Sequence, residues 1–175
     1  MNEEELNRQL FAADSKQYGS SYVEHLLQQY KLYVDSIEKI SDRRQKTNEF
    51  FSALSSGVIT ALGFVVKDAS TRPALLLAAA AGIAISFFWY RIIKSYRGLN
   101  SGKFEVIHAI EKRLPASLFA TEWEYLGSGK NKKLYHPFTH IETRIPWVFL
   151  GLYIMLILVY VPKAALASLV SIFAR

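Results

Sequence analysis

The run of residues from Pro73 to Tyr90 most constrains how this chain can fold. It reads PALLLAAAAGIAISFFWY and contains no charged side chain. A soluble helix of that length needs a polar face, and this segment has none. About 18 residues rising 1.5 Å each span about 27 Å, close to the hydrocarbon thickness of a bilayer. The run therefore predicts a membrane-spanning helix, around which the other segments are interpreted.

A second uncharged run precedes it and predicts a transmembrane hairpin. This run, FFSALSSGVITALGFVV, covers about 50–66, and only a short linker separates it from 73–90. The second arm ends in the aromatic residues FFWY, followed by Arg91 and Lys94, a sequence typical of a membrane–water interface. We therefore expect a hairpin over 50–93.

A third apolar run predicts another span near the C-terminus. It begins at Pro146, continues as WVFLGLYIMLILVYV and is followed by Pro162, so we expect a third transmembrane helix over 146–162. Beyond it, residues 163–175 carry apolar side chains at helical spacing. This pattern predicts a short helix lying in the membrane interface.

The distribution of basic residues predicts the orientation of these spans. Lys and Arg number seven before the first span, two in the hairpin linker, ten between the second and third spans, and two in the tail. Because cytoplasmic loops collect Lys and Arg, the N-terminus and the segment before the third span are expected in the cytoplasm. The C-terminus is then expected on the opposite side of the membrane.

The cytoplasmic part is predicted to be helical. Residues 1–21 are polar and expected to be flexible, whereas apolar side chains recur every three or four residues over 22–49. This spacing predicts an amphipathic stalk helix. Since no glycine or proline separates the stalk from the first span, we expect one continuous helix of about 44 residues, roughly 66 Å long at 1.5 Å per residue.

Between the second and third spans, residues 94–145 predict a cytoplasmic helical segment. Gly98-Leu99-Asn100 is expected to interrupt the helix that leaves the membrane. A second amphipathic helix follows over Lys103–Leu114, and Ser117–Leu126 predicts a further turn or helix. The fold class is therefore an all-α membrane protein with three transmembrane helices, a long stalk helix continuous with the first span, and this helical segment.

The composition argues against most catalytic and metal-binding chemistry. The chain has no cysteine, which excludes disulfides and thiolate sites. Gly127-Ser-Gly-Lys130 lacks the remaining residues of a phosphate-binding loop and is interpreted as a surface turn. His136 and His140 are separated by Pro137, which disfavours the helix that would align them on a metal. We expect no enzyme activity, no cofactor and no metal site.

The formal net charge of +6 does not require a nucleic-acid partner. Basic cytoplasmic flanks account for it, so membrane lipids are the expected partners and nucleic acid is not.

Small side chains follow one face of each arm of the hairpin. They occur at intervals of four residues: Ser52, Ser56 and Thr60 on the first arm, and Ala78, Gly82 and Ser86 on the second. Small residues allow close helix packing in membranes, and hydroxyl rows can also line a narrow aqueous path. Helix packing and pore lining both remain open for these six positions.

Several ordered motifs resemble the RipA family of small octameric bacterial membrane proteins. They are QYKLYVDSIEKISDRRQKTNEFF, SYRGLNSGKFEVIHAIEKRLP, EWEYL and YHPFTHIETRIP. The arrangement is also similar to SLATT-type proteins, small membrane effectors encoded beside nucleotide-signal defence systems. The resemblance implies a homo-oligomer, an octamer in that family, in the bacterial inner membrane. It implies no known chemistry and supplies no catalytic residues.

The same motifs contain charged residues that are expected near the cytoplasmic face of the membrane. We hypothesise that they form ion pairs that hold the stalk against the 94–145 segment, within or between subunits. The predicted ion-pair network comprises Arg43, Arg44, Arg97, Lys103, Glu111, Glu122 and Glu142.

The function expected from these features is a non-enzymatic, homo-oligomeric inner-membrane protein. The leading hypothesis is a gated pore or membrane-perturbing effector in stress or phage defence. The alternative is a membrane scaffold for envelope integrity that recruits a cytoplasmic partner through residues 94–145. The sequence identifies neither the trigger nor that partner.

Overall fold

The computed structural model describes residues 2–65, 72–130, 135 and 141–160, and the regular structure among them is entirely helical. This confirms the predicted all-α fold for the described part of the chain. The hairpin linker and the expected interfacial helix over 163–175 lie outside the described residues. The helices are α1 (Glu3–Leu10), α2 (Ser15–Tyr18), α3 (Tyr22–Val65), α4 (Arg72–Glu111), α5 (Leu118–Tyr125) and α6 (Ile145–Tyr160), with a 3₁₀ turn over Gly127–Gly129 between α5 and α6.

Helix α3 runs for 44 residues without a break. Its first half is the amphipathic stalk and its second half is the uncharged run, so the predicted continuity of these two segments is confirmed. The chain contains no proline between Tyr22 and Val65, and its first glycine in this range is Gly57. Each residue of the junction can therefore keep its i→i−4 hydrogen bond.

Helix α4 is also continuous, and here the prediction was wrong. The expected interruption at Gly98-Leu99-Asn100 does not occur, because α4 extends for 40 residues to Glu111. Glycine in a helix interior costs only about 1 kcal/mol relative to alanine. The buried side chains Ile93 and Ile107 lie on either side of Gly98, and their burial offsets that cost.

Only one described helix is long and apolar enough to cross a membrane by length and composition. It is α4, from Pro73 onward, with a mean hydropathy of 1.8 in its most apolar window. The described apolar helix α6 has 16 residues, or about 24 Å at 1.5 Å per residue. The uncharged part of α3 is equally short within the described residues. Of the three predicted spans, the one in α4 is therefore the clear candidate among the described residues.

The N-terminal segment, which the sequence predicts to be flexible, contains α1 and α2. Asn2 caps α1 by accepting a hydrogen bond from the backbone N–H of Glu5 at 2.8 Å. Asp14 caps α2 in the same way through the N–H of Lys16 at 2.9 Å. Each cap satisfies a donor that the first helical turn leaves unpaired.

Contacts divide the chain into two compact units. The first unit comprises residues 1–45 and 95–140, and the second comprises residues 46–94 and 141–175. Helices α3 and α4 each contribute to both units.

The second unit is organised around the fully buried indole of Trp89. Its ring stacks on Phe51, with 5.8 Å between centroids and 12° between planes, and is tilted against Phe149 at 5.8 Å. Its Nε1–H donates a 2.9 Å hydrogen bond to the side-chain oxygen of Asn48. One residue therefore joins α3, α4 and α6, and its single polar atom is satisfied.

A second buried ring, that of Tyr153, joins the same three helices. Its hydroxyl donates a 3.1 Å hydrogen bond to the backbone oxygen of Ser55 on α3. Its ring lies so close to Gly82 of α4 that a Cβ at that position would overlap it. Leu62, Leu75 and Ala79 complete this buried cluster. The missing side chain at Gly82 is what allows the tyrosine to lie between the helices.

Alanine substitutions at two of the three α4 glycines, Gly82 and Gly98, should have opposite effects. At Gly98 an added Cβ meets nothing within 4 Å, so Gly98→Ala should stabilise the helix by about 0.5–1 kcal/mol. Gly82→Ala should instead lower the apparent melting temperature, because the Cβ must displace the Tyr153 ring. Thermal unfolding in detergent, followed by circular dichroism, measures both. A stability loss for Gly98→Ala would contradict the continuous α4.

Candidate functional site

The carboxyl group of Glu111 is a central polar contact of the first unit. Glu111 is the last residue of α4 and is completely buried. Its Oε1 accepts hydrogen bonds from the Tyr30 hydroxyl on α3 and from the backbone N–H of Phe119, both at 2.9 Å. Its Oε2 accepts from the N–H of Ala120 at 3.0 Å. Both oxygens therefore act as acceptors, as in an ionised carboxylate.

These contacts make Glu111 the cap of α5. Ser117 occupies the N-cap position, but its side chain makes no capping hydrogen bond to α5. The Glu111 carboxylate instead satisfies two of the unpaired N–H groups in the first turn of α5, where the helix dipole favours negative charge. Burial, together with the hydrogen bond to Glu111, raises the pKa of Tyr30 to about 12.

Lys103 forms a second polar link between α4 and α3 in the first unit. Its ammonium group donates a 2.6 Å hydrogen bond to the Ser36 hydroxyl and lies 4.3 Å from the centre of the Tyr33 ring. Burial raises the pKa of Tyr33. The positive charge of Lys103 is thus placed on the face of an aromatic ring, in a cation–π arrangement.

The N-terminal segment contacts the residues that follow α4. Lys112 forms an ion pair with Glu3 of α1, and this pairing lowers the pKa of Glu3. The Arg113 guanidinium lies over the Phe11 ring at 3.4 Å from its centre and donates to the Tyr22 hydroxyl at 3.3 Å. Both Lys112 and Glu3 are exposed, and exposed pairs contribute little to stability.

The first unit also contains a cavity of about 640 Å³. It is bounded by the C-terminal part of α4, by α5 and by the 3₁₀ turn. Aromatic side chains form much of its wall: Phe104 and Phe119 meet edge to face at 5.8 Å, and Trp123 and Tyr135 at 6.5 Å. Cavities of this size hold small organic ligands.

Polar side chains open into the same cavity. Arg97, Glu105 and Glu122 contribute charge. Asn100 and His108 contribute two buried atoms, Oδ1 and Nε2, that have no hydrogen-bond partner among the described residues. Leaving a buried polar group unpaired costs about 1–3 kcal/mol. These two atoms have almost no accessible surface, so the charged side chains are the groups that the cavity offers to a bound molecule.

The turn after α5 closes one side of the cavity. Gly127, Ser128 and Gly129 all have positive φ, at 72°, 51° and 70°. A Cβ at Gly129 would lie 3.0 Å from the Trp123 ring, so the glycine lets the turn lie directly on the indole. The sequence predicts a surface turn here rather than a phosphate-binding loop, and the structure has a 3₁₀ turn that follows a helix.

The predicted charged network is distributed over both units. In the first unit, Arg97 and Glu122 line the cavity, while Lys103 and Glu111 make the contacts described above. Arg43 is exposed and Arg44 is half-buried, and each is engaged in interactions within the protein. In the second unit, Glu142 is buried and similarly engaged. Pairing of these residues as a network stays a prediction.

The predicted small-residue faces have different environments. In α4, Gly82 and Ser86 are buried and Ala78 is half-buried. The Ser86 hydroxyl donates to the backbone oxygen of Gly82 at 2.9 Å. In α3, Ser52 is half-buried and Ser56 and Thr60 are exposed. The buried serine of α3 is Ser55, which accepts the Tyr153 hydrogen bond through its backbone.

The residues that connect the helices by hydrogen bonds were not predicted from the sequence. Asn48, Tyr153 and Ser55 in the second unit had no assigned role. A lone asparagine at the start of an apolar run, with a tryptophan in the neighbouring run, is the signal that could have suggested the Asn48–Trp89 bond. No comparable signal exists for Glu111, because its partners on α5 become neighbours only in the folded chain.

The structure adds little on metal binding. Among the described residues, no group of three or more His, Asp or Glu side chains is placed to hold a metal ion. His136 and His140, for which the sequence disfavours a metal site, lie outside the described residues.

Comparisons with known proteins identify the family. Searches of curated proteins and of solved structures give no match. The family model described as the octameric membrane protein family (8xMP) matches residues 27–162, which include most of both units. This match confirms the resemblance to small octameric membrane proteins, and with the apolar part of α4 it supports a membrane location and homo-oligomeric assembly. The chain belongs to the octameric membrane protein family.

Proposed function

We propose that this protein is a non-enzymatic homo-oligomer that crosses the bacterial inner membrane three times and forms a gated pore or membrane-perturbing effector in stress or phage defence. In this proposal the bilayer-spanning segments are Phe50–Val65, Pro73–Tyr90 and α6 with the residues that follow it. The family supports assembly in a membrane. The proposed contact between copies and the proposed pore rest on a contrast between the exposed faces of α3 and α6 in the second unit.

The exposed surface of α6 is bulky and apolar. Its most exposed large side chains are Trp147, Val148, Met155, Leu158 and Val159, each more than half exposed. Helices α3 and α4 do not cover this surface. Large apolar side chains suit contact with lipid, where close approach of backbones is not needed. We therefore assign this face to the lipid.

One exposed face of α3 is formed by small residues. Ala53, Gly57 and Ala61 recur at intervals of four and are all exposed. A Cβ at Gly57 would meet nothing within 4 Å in a single chain. Small residues at this spacing allow two helix backbones to approach closely in a membrane. We assign this face of α3 to contact with a neighbouring copy.

The adjacent face of α3 carries the exposed hydroxyls. Ser56 and Thr60 are one residue before Gly57 and Ala61 and are therefore rotated by about 100° from them. The Thr60 hydroxyl donates to the backbone oxygen of Ser56 at 2.8 Å, so its proton is satisfied even without water. In a ring with Gly57 at the contact between copies, this face is placed to line the axis, where hydroxyls can conduct water and ions.

The first prediction concerns assembly. Gly57→Leu should break the homo-oligomer, because the added side chain fills the close contact between copies. Gly151→Leu is the matched control, since Gly151 is also exposed, with nothing within 4 Å of an added Cβ, but lies on the bulky face of α6. Native mass spectrometry in detergent measures the number of copies. Equal retention of the oligomer by both variants would contradict the assignment of the α3 face.

The second prediction concerns topology. The chain contains no cysteine, so single cysteines report location without background labelling. An impermeant thiol reagent added to spheroplasts should label Ser171→Cys and spare Ser20→Cys. Both should be labelled after the membrane is permeabilised. Labelling of both, or of neither, in intact spheroplasts would rule out an odd number of spans.

The third prediction concerns conduction. Cells that express Thr60→Cys should depolarise upon the activating stress or phage infection, and a cationic thiol reagent should reduce that ion flux. Leu158→Cys, on the lipid-assigned face, should conduct and be insensitive to the reagent. Purified protein in liposomes should show the same difference. If cells remain polarised under stress and infection, and liposomes remain ion-tight, the pore is excluded and the scaffold is the function that remains.

A further inference from the structure

The aromatic cavity of the first unit has a size and a wall chemistry that select for one class of ligand. Its volume of about 640 Å³ lies within the range of small-molecule sites. The cavity lies outside the second unit, to which the pore hypothesis refers. A ligand of this cavity is therefore independent of the pore hypothesis.

Aromatic ring faces favour a cation. Phe104, Phe119, Trp123 and Tyr135 all line the cavity, and tryptophan and tyrosine have the most favourable ring quadrupoles for this purpose. Such walls bind organic ammonium groups through cation–π attraction while their apolar surface contacts the attached carbons. The same chain already uses this interaction twice, at Lys103 over Tyr33 and Arg113 over Phe11.

The charged side chains of the cavity also favour a cation. Glu105 and Glu122 give two negative charges against the single positive charge of Arg97. This local excess of negative charge occurs in a chain whose formal net charge is +6. An anionic ligand would have to lie beside two carboxylates and would be repelled. The cavity is thus an acidic site in a basic protein.

We propose that the cavity binds an organic ammonium ion with N–H donors. Trp123 and Tyr135 contact the cation through their rings, and Glu122 and Glu105 neutralise it and accept its hydrogen bonds. Two sources have this chemistry: a free polyamine and the ethanolamine headgroup of a lipid. The experiment below distinguishes them.

The test is a calorimetric titration of the full-length oligomer in an uncharged maltoside detergent and an amine-free buffer. Putrescine and spermidine are the probes, and 1,4-butanediol is the uncharged analogue of putrescine. We expect saturable binding of the amines and none of the diol. Equal binding of diol and diamine, or no saturable amine binding, would overturn the proposal.

Matched pairs of variants on α5 locate the binding site. Glu122→Gln should weaken amine binding by about fivefold, whereas Glu124→Gln, an exposed position outside the cavity wall, should leave it unchanged. Trp123→Leu should weaken it by about tenfold, and Tyr125→Leu, also exposed and outside the wall, should not. Equal losses within each pair would mean a general surface attraction and would refute the site.

The source of the amine is resolved by competition. Phosphatidylethanolamine added to the micelles should raise the apparent Kd for spermidine if the headgroup is the natural ligand. Phosphatidylcholine, which is also zwitterionic but has no N–H donors, should not. An unchanged Kd would assign the cavity to free polyamines. Because all arms measure binding, a failure of the pore hypothesis leaves this test intact, and loss of amine binding leaves the pore hypothesis intact.

Discussion

The buried carboxylate of Glu111 determines how the first unit is built. It ends α4, receives a hydrogen bond from Tyr30 on α3, and provides the cap that α5 lacks at its own N-cap residue. A buried charge of this kind needs hydrogen-bond donors, and three donors occupy three of the roughly four lone-pair sites of the carboxylate. Since α5 carries Phe119 and Trp123, the position of the cavity wall follows from this one side chain.

The second unit is held together differently, because its helices are almost entirely apolar. Helix packing there depends on shape and on a few polar atoms of aromatic rings. Trp89 donates to Asn48, and Tyr153 donates to the Ser55 backbone, while Gly82 provides the space that the tyrosine ring requires. In a membrane, interhelical hydrogen bonds and small residues are the features that make contacts specific, since apolar surface alone does not distinguish a helix from lipid. These residues fix which faces of α3, α4 and α6 meet.

Much of the fold was predictable because it depends on local pattern. The periodicity of α3 and the absence of proline were sufficient to predict a continuous helix of the observed length. The error at Gly98 arose from treating a local preference of about 1 kcal/mol as decisive. Burial of Ile93 and Ile107 outweighs that preference, and burial depends on contacts distant in sequence.

The candidate site was less predictable for the same reason. Glu111 was identified as part of a charged network, yet the groups that bind it here are a phenol and two backbone amides. Their arrangement requires the chain to reverse direction after α4, and neither spacing nor composition specifies where α5 then lies. The cavity residues Asn100 and His108 are separated by eight positions, and their unpaired atoms become apparent only once burial is known.

Helix α3 has three distinct faces, which the sequence pattern alone does not distinguish. The sequence identifies small and hydroxyl residues at intervals of four, but several such rows run along the same helix. The structure separates them: Ser55 and Leu62 are buried, Ser56 and Thr60 are exposed, and Gly57 lies on open surface. A whole row of exposed small residues, Ala53, Gly57 and Ala61, gains little from lipid, because it buries little side-chain area there. It gains from a neighbouring backbone that can approach closely. The bulky exposed face of α6 has the opposite character. The contrast therefore favours α3 as the helix between copies and α6 as the helix against lipid.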